Sequence, residues 1–299
     1  MNQIHIGCSG WSYPDPPEIG GWTKVFYPNS QTKRLSYYSQ FFDTVEMDST
    51  FYEKFYKDMT KYTFIGMDKA TQNNNKNFEF SIKVPETITH IKRLDVEKGA
   101  IASFEEFLDK ISPLKIANKL GAILIQLPPS FTVTDFKNTE NFLDNLPSGY
   151  QYAVEFRHPS WNTEGPWEML KHYDIAAVMT DSPISDNLQF LSEVKITSKN
   201  HSFIRFHGRD SRHRYNYLYS TEELKPWVNK VKKEIIGKTD NTLLRVYFNN
   251  HYGAKAVINA FEFKKMLGIS LSKRETNALI FAKSYYSRPP SPTSTLDHI

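Results

Sequence analysis

Short apolar, β-branched or aromatic runs recur along the chain: 4–8, 44–48, 78–84, 122–127, 152–156, 175–179, 203–206 and 243–248. Each has the length and composition of a strand, which predicts eight of them. Between them, helical spacing of apolar residues marks 33–42, 103–118, 135–145, 165–173, 221–236 and 254–267. Ser103 and Glu106 have capping-box spacing, and Thr221 stands where a cap belongs. Strands alternating with helices imply parallel β-α-β units. Eight units in 299 residues imply a closed (β/α)8 TIM barrel of one domain, spanning 1–285. The Pro/Ser/Thr-rich segment 286–299 is predicted to be a disordered tail.

Side chains alternate between the two faces of a strand. In AVEFRH, Val154 and Phe156 take one face, and Ala153, Glu155 and Arg157 the other. The same alternation opposes Val45 and Met47 to Glu46 and Asp48, and Phe80 and Ile82 to Ser81 and Lys83. It opposes Ile123 and Ile125 to Leu124 and Gln126, Ile204 and Phe206 to Arg205 and His207, and Val246 and Phe248 to Tyr247 and Asn249. The apolar face must meet the helices, so the polar face lines the barrel. Barrel interiors are ordinarily apolar, and a lone buried charge is very unfavourable. These groups must therefore be paired, hydrated or occupied by a ligand. For the deeper Glu79 and Arg245 an ion-pair lattice without a substrate is the lesser alternative. At the carboxyl-end mouth, where barrel enzymes work, a functional pocket is the better reading.

Chemistry follows from side-chain type. Arg157, Arg205 and Arg209 suit an anion such as phosphate, because a guanidinium offers a planar fork of donors. Glu155 or Asp48 is the candidate general base, His207 its acid or base partner, and Lys83 a stabiliser of developing negative charge. Glu46, Gln126, Asp181, Asn249, Asn250 and His251 sit on strand ends or on the loops beyond them and are assigned to substrate binding. Trp11 and Tyr52 join them as aromatic platforms.

The hydrophobic fraction of 39% supports a real core, and the net charge of +4 is too weak to imply nucleic acid by itself. Yet residues 195–238 hold 11 Lys/Arg against 4 Asp/Glu, with Arg209, Arg212 and Arg214 beside Tyr215, Tyr217 and Tyr219. Nucleic-acid or nucleotide binding by this loop, including a metal-dependent phosphodiesterase, is the alternative to a hydrolase or isomerase acting on phosphorylated substrates. A structural protein without catalysis is the second alternative. No HExxH, GxSxG or glycine-rich phosphate loop is present, so no metal ligands and no cofactor are predicted. A divalent ion stays open, because the mouth holds suitable donors. The single Cys8 cannot form an internal disulfide, the first residues lack the pattern of a secretory signal, and no apolar run could span a bilayer. The expectation is a cytoplasmic protein whose partner is an anionic small molecule, with oligomeric state undetermined.

The motifs IGCSGWSYPD, FDTVEMDSTFY, FSIKVPETITH, LGAILIQLPPSF, AVEFRHPSW, TDSP, FIRFHGR and YFNNHYGAKAVINA occur in this order between residue 4 and about residue 268. Together they make the chain resemble the YecE-like family, a domain of unknown function (number 72). The resemblance implies a TIM barrel and no established activity. The chain departs from the pattern at Asp15-Pro16-Pro17, where an aromatic is expected, and lacks a proline soon after Tyr52. It has Ala254 where a second glycine is common.

Overall fold

In the computed structural model, eight parallel strands form one sheet in the order β1-β8-β7-β6-β5-β4-β3-β2. They are β1 (Ile4–Cys8), β2 (Thr44–Met47), β3 (Glu79–Lys83), β4 (Leu120–Gln126), β5 (Gln151–Glu155), β6 (Ala176–Asp181), β7 (His201–Phe206) and β8 (Leu243–Phe248). The structure describes residues 3–75, 77–237 and 243–287. The predicted tail from 288 onward lies outside the described residues, whereas Tyr286 ends a helix.

The edge strands β1 and β2 meet to close the barrel, although their ladder is short. A single parallel bridge joins Ser9 to Glu46, with Gly10 N–H donating to Glu46 O at 2.8 Å. Below it a side chain substitutes for the ladder. Tyr38 Oη accepts from Cys8 N–H (2.8 Å) and donates to Thr44 O (3.1 Å). Gly7 makes room for this: a Cβ there would lie 2.3 Å from Thr44 O and 2.9 Å from Tyr38 Oη.

Nine helices are named among the described residues: α1 (Arg34–Tyr38), α2 (Glu53–Tyr56), α3 (Lys61–Gln72), α4 (Ala100–Ile116), α5 (Phe136–Asp144), α6 (Glu164–His172), α7 (Thr221–Lys230), α8 (Lys255–Leu267) and α9 (Lys273–Tyr286). The expected helices at 33–42, 103–118, 135–145, 165–173, 221–236 and 254–267 correspond to α1 and α4–α8, with α7 continuing as a π-helical turn over Val231–Ile236. Two caps differ from expectation. α4 begins at Ala100 behind Gly99 in the left-handed conformation, so Ser103 lies inside the helix. α7 is capped by Ser220, whose hydroxyl accepts from Glu223 N–H while the Glu223 carboxylate accepts from Ser220 N–H, so Thr221 is already the first helical residue. Helices α2, α3 and α9 were not foreseen.

Strand alternation separates two apolar clusters. Ile123, Ile125, Val154, Ile204, Phe206, Val246 and Phe248 pack outward in the main core against the helices. Ala122, Leu124, Ala153, Ala176, Val178, Phe203 and Tyr247 form a small inner cluster. Charge lies above and below that inner cluster. At the amino end, Arg245 forks onto Glu79 (Nε–Oε1 2.7 Å, Nη2–Oε2 2.9 Å), and His5 Nδ1 is 3.3 Å from Glu79 Oε1. Burial opposes ionisation of Glu79, but Arg245 and His5 outweigh it and hold the carboxyl far below its ordinary value. This deep pair is a buried ion pair at the amino end of the barrel. No helix among the described residues is long and apolar enough to cross a membrane.

Candidate active site

At the carboxyl-end mouth, Arg205 of β7 is the hub. Its guanidinium forks onto Glu46 of β2 (Nε–Oε2 2.8 Å, Nη2–Oε1 2.6 Å) and reaches Glu155 of β5 with Nη1 (Oε2, 2.5 Å). All three side chains are fully or almost fully buried. Glu155 Oε1 accepts three further contacts: Gln126 Nε2 at 2.7 Å, His207 Nε2 at 3.2 Å and Arg157 Nη1 at 3.3 Å. Burial alone would raise the Glu155 carboxyl, but Arg205, His207 and Arg157 overcome it and hold it well below the ordinary carboxylate range. A carboxylate so occupied is a poor base. Asn249 Nδ2 faces His207 Nδ1 at 3.2 Å. With that amide donating, Nδ1 accepts and Nε2–H points at Glu155. Burial, reinforced by Arg205 and Arg157 against Glu155, lowers the His207 pKa, which keeps the ring neutral.

The expected clamp of three arginines therefore comes apart. Arg205 is the centre of an ion-pair network. Arg209 forks onto Asp181 (Nε–Oδ1 and Nη2–Oδ2, both 2.8 Å) and reaches Glu223. Asp181 also accepts from Tyr219 Oη (2.9 Å) and Trp227 Nε1 (2.8 Å), so it locks the β7 loop onto α7 and is not open to a substrate. Asn250 is likewise internal, donating to Tyr217 O and Asn259 Oδ1. Arg157 is the exception. Its weak contacts are Glu155 and Asp186 (3.9 Å), and its buried Nε–H has no hydrogen-bond partner. The basic loop after β7 is tied to its neighbours: Arg214 pairs with Asp186 of the loop after β6, Tyr217 bonds Glu223 of α7 and Tyr219 is buried, whereas Arg212 and Tyr215 are exposed.

Two charged groups of the mouth stand outside this network. The register pairs Glu46 with Ser81 and Met47 with Ile82; the chain then turns at Asp48 into a short 3-10 helix, while Lys83 ends β3, and the two charges lie within electrostatic reach of each other. The Asp48 carboxylate receives no hydrogen bond from another residue, and the Lys83 ammonium has no hydrogen bond or ion pair, among the described residues. Lys83 Nζ instead lies 3.5 Å from the centroid of the Phe51 ring, over its face. Burial raises the Asp48 pKa against the pull of Lys83, Arg205 and its own backbone N–H. Burial, then repulsion by Arg205, lowers that of Lys83 to about 8, against Glu155, Asp48 and Glu46.

Asp48 opens onto a cavity of about 530 Å³. The walls include Trp11, Tyr13, Tyr52 and Phe55, with Met59 and His251. His251 is sandwiched between Tyr13 (centroids 4.6 Å) and Tyr215 (5.1 Å), and burial lowers its pKa to about 4. Trp11, Tyr52, Asp48 and His251 thus meet in one place. Phe55 and Met59 were missed by the sequence reading, although Phe51, Phe55 and Met59 recur at a helical interval of four. Ala254 adopts a left-handed conformation (φ 61°), which explains why glycine suits that position. Among the described residues no group of three or more His, Cys, Asp or Glu side chains is placed to hold a metal ion. Ser9 and Asp181 make no contact with His207 that would assemble a nucleophilic triad, since its partners are Glu155 and Asn249.

Comparison with known proteins gives relatives over nearly the full chain. A family profile described as "Protein of unknown function DUF72" matches residues 5–280. The UPF0759 protein YunF of Bacillus subtilis is 25% identical over 293 residues, covering 90% of this chain and 96% of its own. The UPF0759 protein YecE of Escherichia coli is 28% identical over 165 residues, 55% of this chain and 52% of its own. A crystal structure of a DUF72 family protein from Thermotoga maritima superposes with a TM-score of 0.71 at 30% identity, over 89% of this chain and all of that one. Another, from Enterococcus faecalis, gives 0.67 at 22% identity over 90% of this chain and 99% of that one.

Proposed function

This chain belongs to the DUF72 family of TIM-barrel proteins, and we propose that it is an enzyme acting on a small anionic substrate, a phosphate ester foremost, at the mouth of the barrel. One observation carries the reading. Asp48, partly exposed to the cavity, and Lys83, buried on Phe51, are unlike in charge and within electrostatic reach, and neither is hydrogen-bonded to another side chain among the described residues, while Glu46, Glu155 and Arg205 around them are paired. Buried charges are ordinarily paired, so charges left unpaired beside a cavity mark a candidate ligand site. A substrate supplies the missing partners. Its anionic group meets Arg157 Nε–H and Lys83, and its body fills the aromatic cavity. Asp48 serves as the general base: it lines the cavity, and its raised pKa makes it a better proton acceptor than Glu155. Glu46, Arg205, Glu155, Gln126, His207 and Asn249 hold the floor rigid and fix its field. The nucleic-acid reading is the weaker one, because Arg209, Arg214, Tyr217 and Tyr219 are engaged with neighbouring elements, which leaves Arg212 and Tyr215 as the exposed members of the loop that suggested it.

A thermal-shift screen against sugar phosphates, nucleotides, carboxylic acids and short oligonucleotides tests this. A ligand at 100 times its dissociation constant adds about 2.7 kcal/mol. That corresponds to a rise of roughly 4–5 °C for a chain of this size. The expected result is a rise with phosphate esters that disappears in Arg157→Ala. A rise with oligonucleotides that is unaffected by Arg157→Ala would contradict it.

A further inference from the structure

We propose that Lys83 is a Schiff-base lysine, whose amine condenses with the carbonyl carbon of a small aldehyde or ketone that also bears an anionic group. The inference rests on the anionic-substrate reading and narrows its substrate class to carbonyl compounds.

The geometry is that of a nucleophile held ready. Lys83 ends β3 on the interior face, and its backbone is pinned by Thr50 Oγ1, which donates to Lys83 O at 2.6 Å. Its side chain is only 7% exposed, and its amine rests on Phe51 rather than on a carboxylate. An ion-paired lysine keeps its proton and cannot attack. A lysine that is desolvated and set beside another cation loses its proton readily, and here the cation is Arg205. The groups acting on Lys83 are Arg205 from β7, Glu155 from β5, and Asp48 and Glu46 from β2. Arg157 contacts Glu155, which also acts on Lys83, so the two cations share that acid's surroundings.

Asp48 completes the chemistry. The nitrogen lone pair attacks the carbonyl carbon, and the C=O π pair moves to oxygen. The new N–C bond gives a carbinolamine once oxygen gains a proton and nitrogen loses one, with Asp48 the proton carrier in this scheme. The C–O bond then breaks, the oxygen leaves as water with a second proton, and the nitrogen lone pair forms C=N. The net reaction joins amine, carbonyl and one proton to give an iminium ion and water. The iminium keeps the positive charge beside the Asp48 carboxylate, and the anionic group of the substrate meets Arg157.

The test treats the full chain with dihydroxyacetone phosphate, or separately with pyruvate, in the presence of borohydride, followed by peptide mass spectrometry. The expected result is a reduced adduct on Lys83 ahead of exposed lysines such as Lys54. It forms faster as pH rises, with half-maximal rate near 8, the value set by burial and Arg205. Inorganic phosphate should slow it, and Lys83→Met and Lys83→Arg should abolish it. Binding of dihydroxyacetone phosphate, seen as a thermal shift lost in Arg157→Ala, with no adduct on Lys83 overturns the Schiff base and leaves the anion site standing. No thermal shift from any anion together with no adduct overturns both. Labelling spread evenly over exposed lysines also overturns the inference.

Discussion

Asp48, just past the end of β2, and Lys83, the last residue of β3, lie within electrostatic reach of each other, and neither is hydrogen-bonded to another side chain among the described residues. Two strands of a sheet bring unlike charges within reach, and the protein does not join them. The contrast with Arg205, whose guanidinium is engaged on both Glu46 and Glu155, shows that the fold can saturate a buried charge where no group need be kept available.

The two groups are coupled, with a sign that can be measured. The Asp48 carboxylate favours the charged ammonium of Lys83. Asp48→Asn removes that support and lowers the Lys83 pKa below about 8. Reductive methylation with 13C-formaldehyde followed by NMR titration reads this directly. An upward shift in the variant would contradict the arrangement.

Arg205→Met leaves Glu46 and Glu155 buried and facing each other without their cation. The expected loss is about 3–5 kcal/mol in denaturant unfolding. A loss below about 1 kcal/mol would mean that water reaches the network.

Tyr38→Phe removes the hydroxyl that joins Cys8 N–H to Thr44 O across the seam of the barrel. Two buried backbone groups are then unsatisfied, at an expected cost of about 1–3 kcal/mol. Hydrogen exchange at the Cys8 amide should accelerate more than at the amides of β4, because β4 is paired on both sides.

His201 gives the fold a sensitivity to acid. It is buried with Nε2 3.0 Å from Tyr152 O, and burial, aided by Arg245, lowers its pKa to about 3. The folded chain keeps the ring neutral, while the unfolded chain takes up its proton near the ordinary value of about 6.5. Stability from this residue is therefore complete above about 6.5 and is lost as pH falls toward 3, by about 1.4 kcal/mol per pH unit. His201→Gln should flatten the stability profile between about pH 6 and pH 4. An unchanged slope would show that other groups govern acid unfolding.

The barrel was legible because the strands carry two signals at once. Alternation set Ile204 and Phe206 against Arg205 and His207, and only a closed sheet with helices outside uses both faces that way. Helix α3 was hidden because its buried face is only Phe64, Met67 and Thr71, and Gly66 interrupts it. Helix α9 buries only Leu279 and Ala282, so its apolar stripe is faint, although the Ser272–Glu275 capping box marks its start. The candidate site was legible as a set of residues and not as a circuit. Arg157, Arg205 and Arg209 look alike in sequence, each on or just beyond the end of a strand. What separates them is the acid each one meets, and Glu46 lies 159 positions from Arg205 while Asp181 lies 28 from Arg209. Such distant pairings follow from the closed barrel, so local pattern cannot assign them.

The ionisation of Lys83 in the chain without substitutions tests the central claim most directly. If the mouth holds charges in reserve for a substrate, the methylated amine titrates near 8 and moves upward when phosphate binds. If the mouth is only an ion-pair lattice, Lys83 titrates at or above the ordinary lysine value of about 10.4 and phosphate leaves it unchanged.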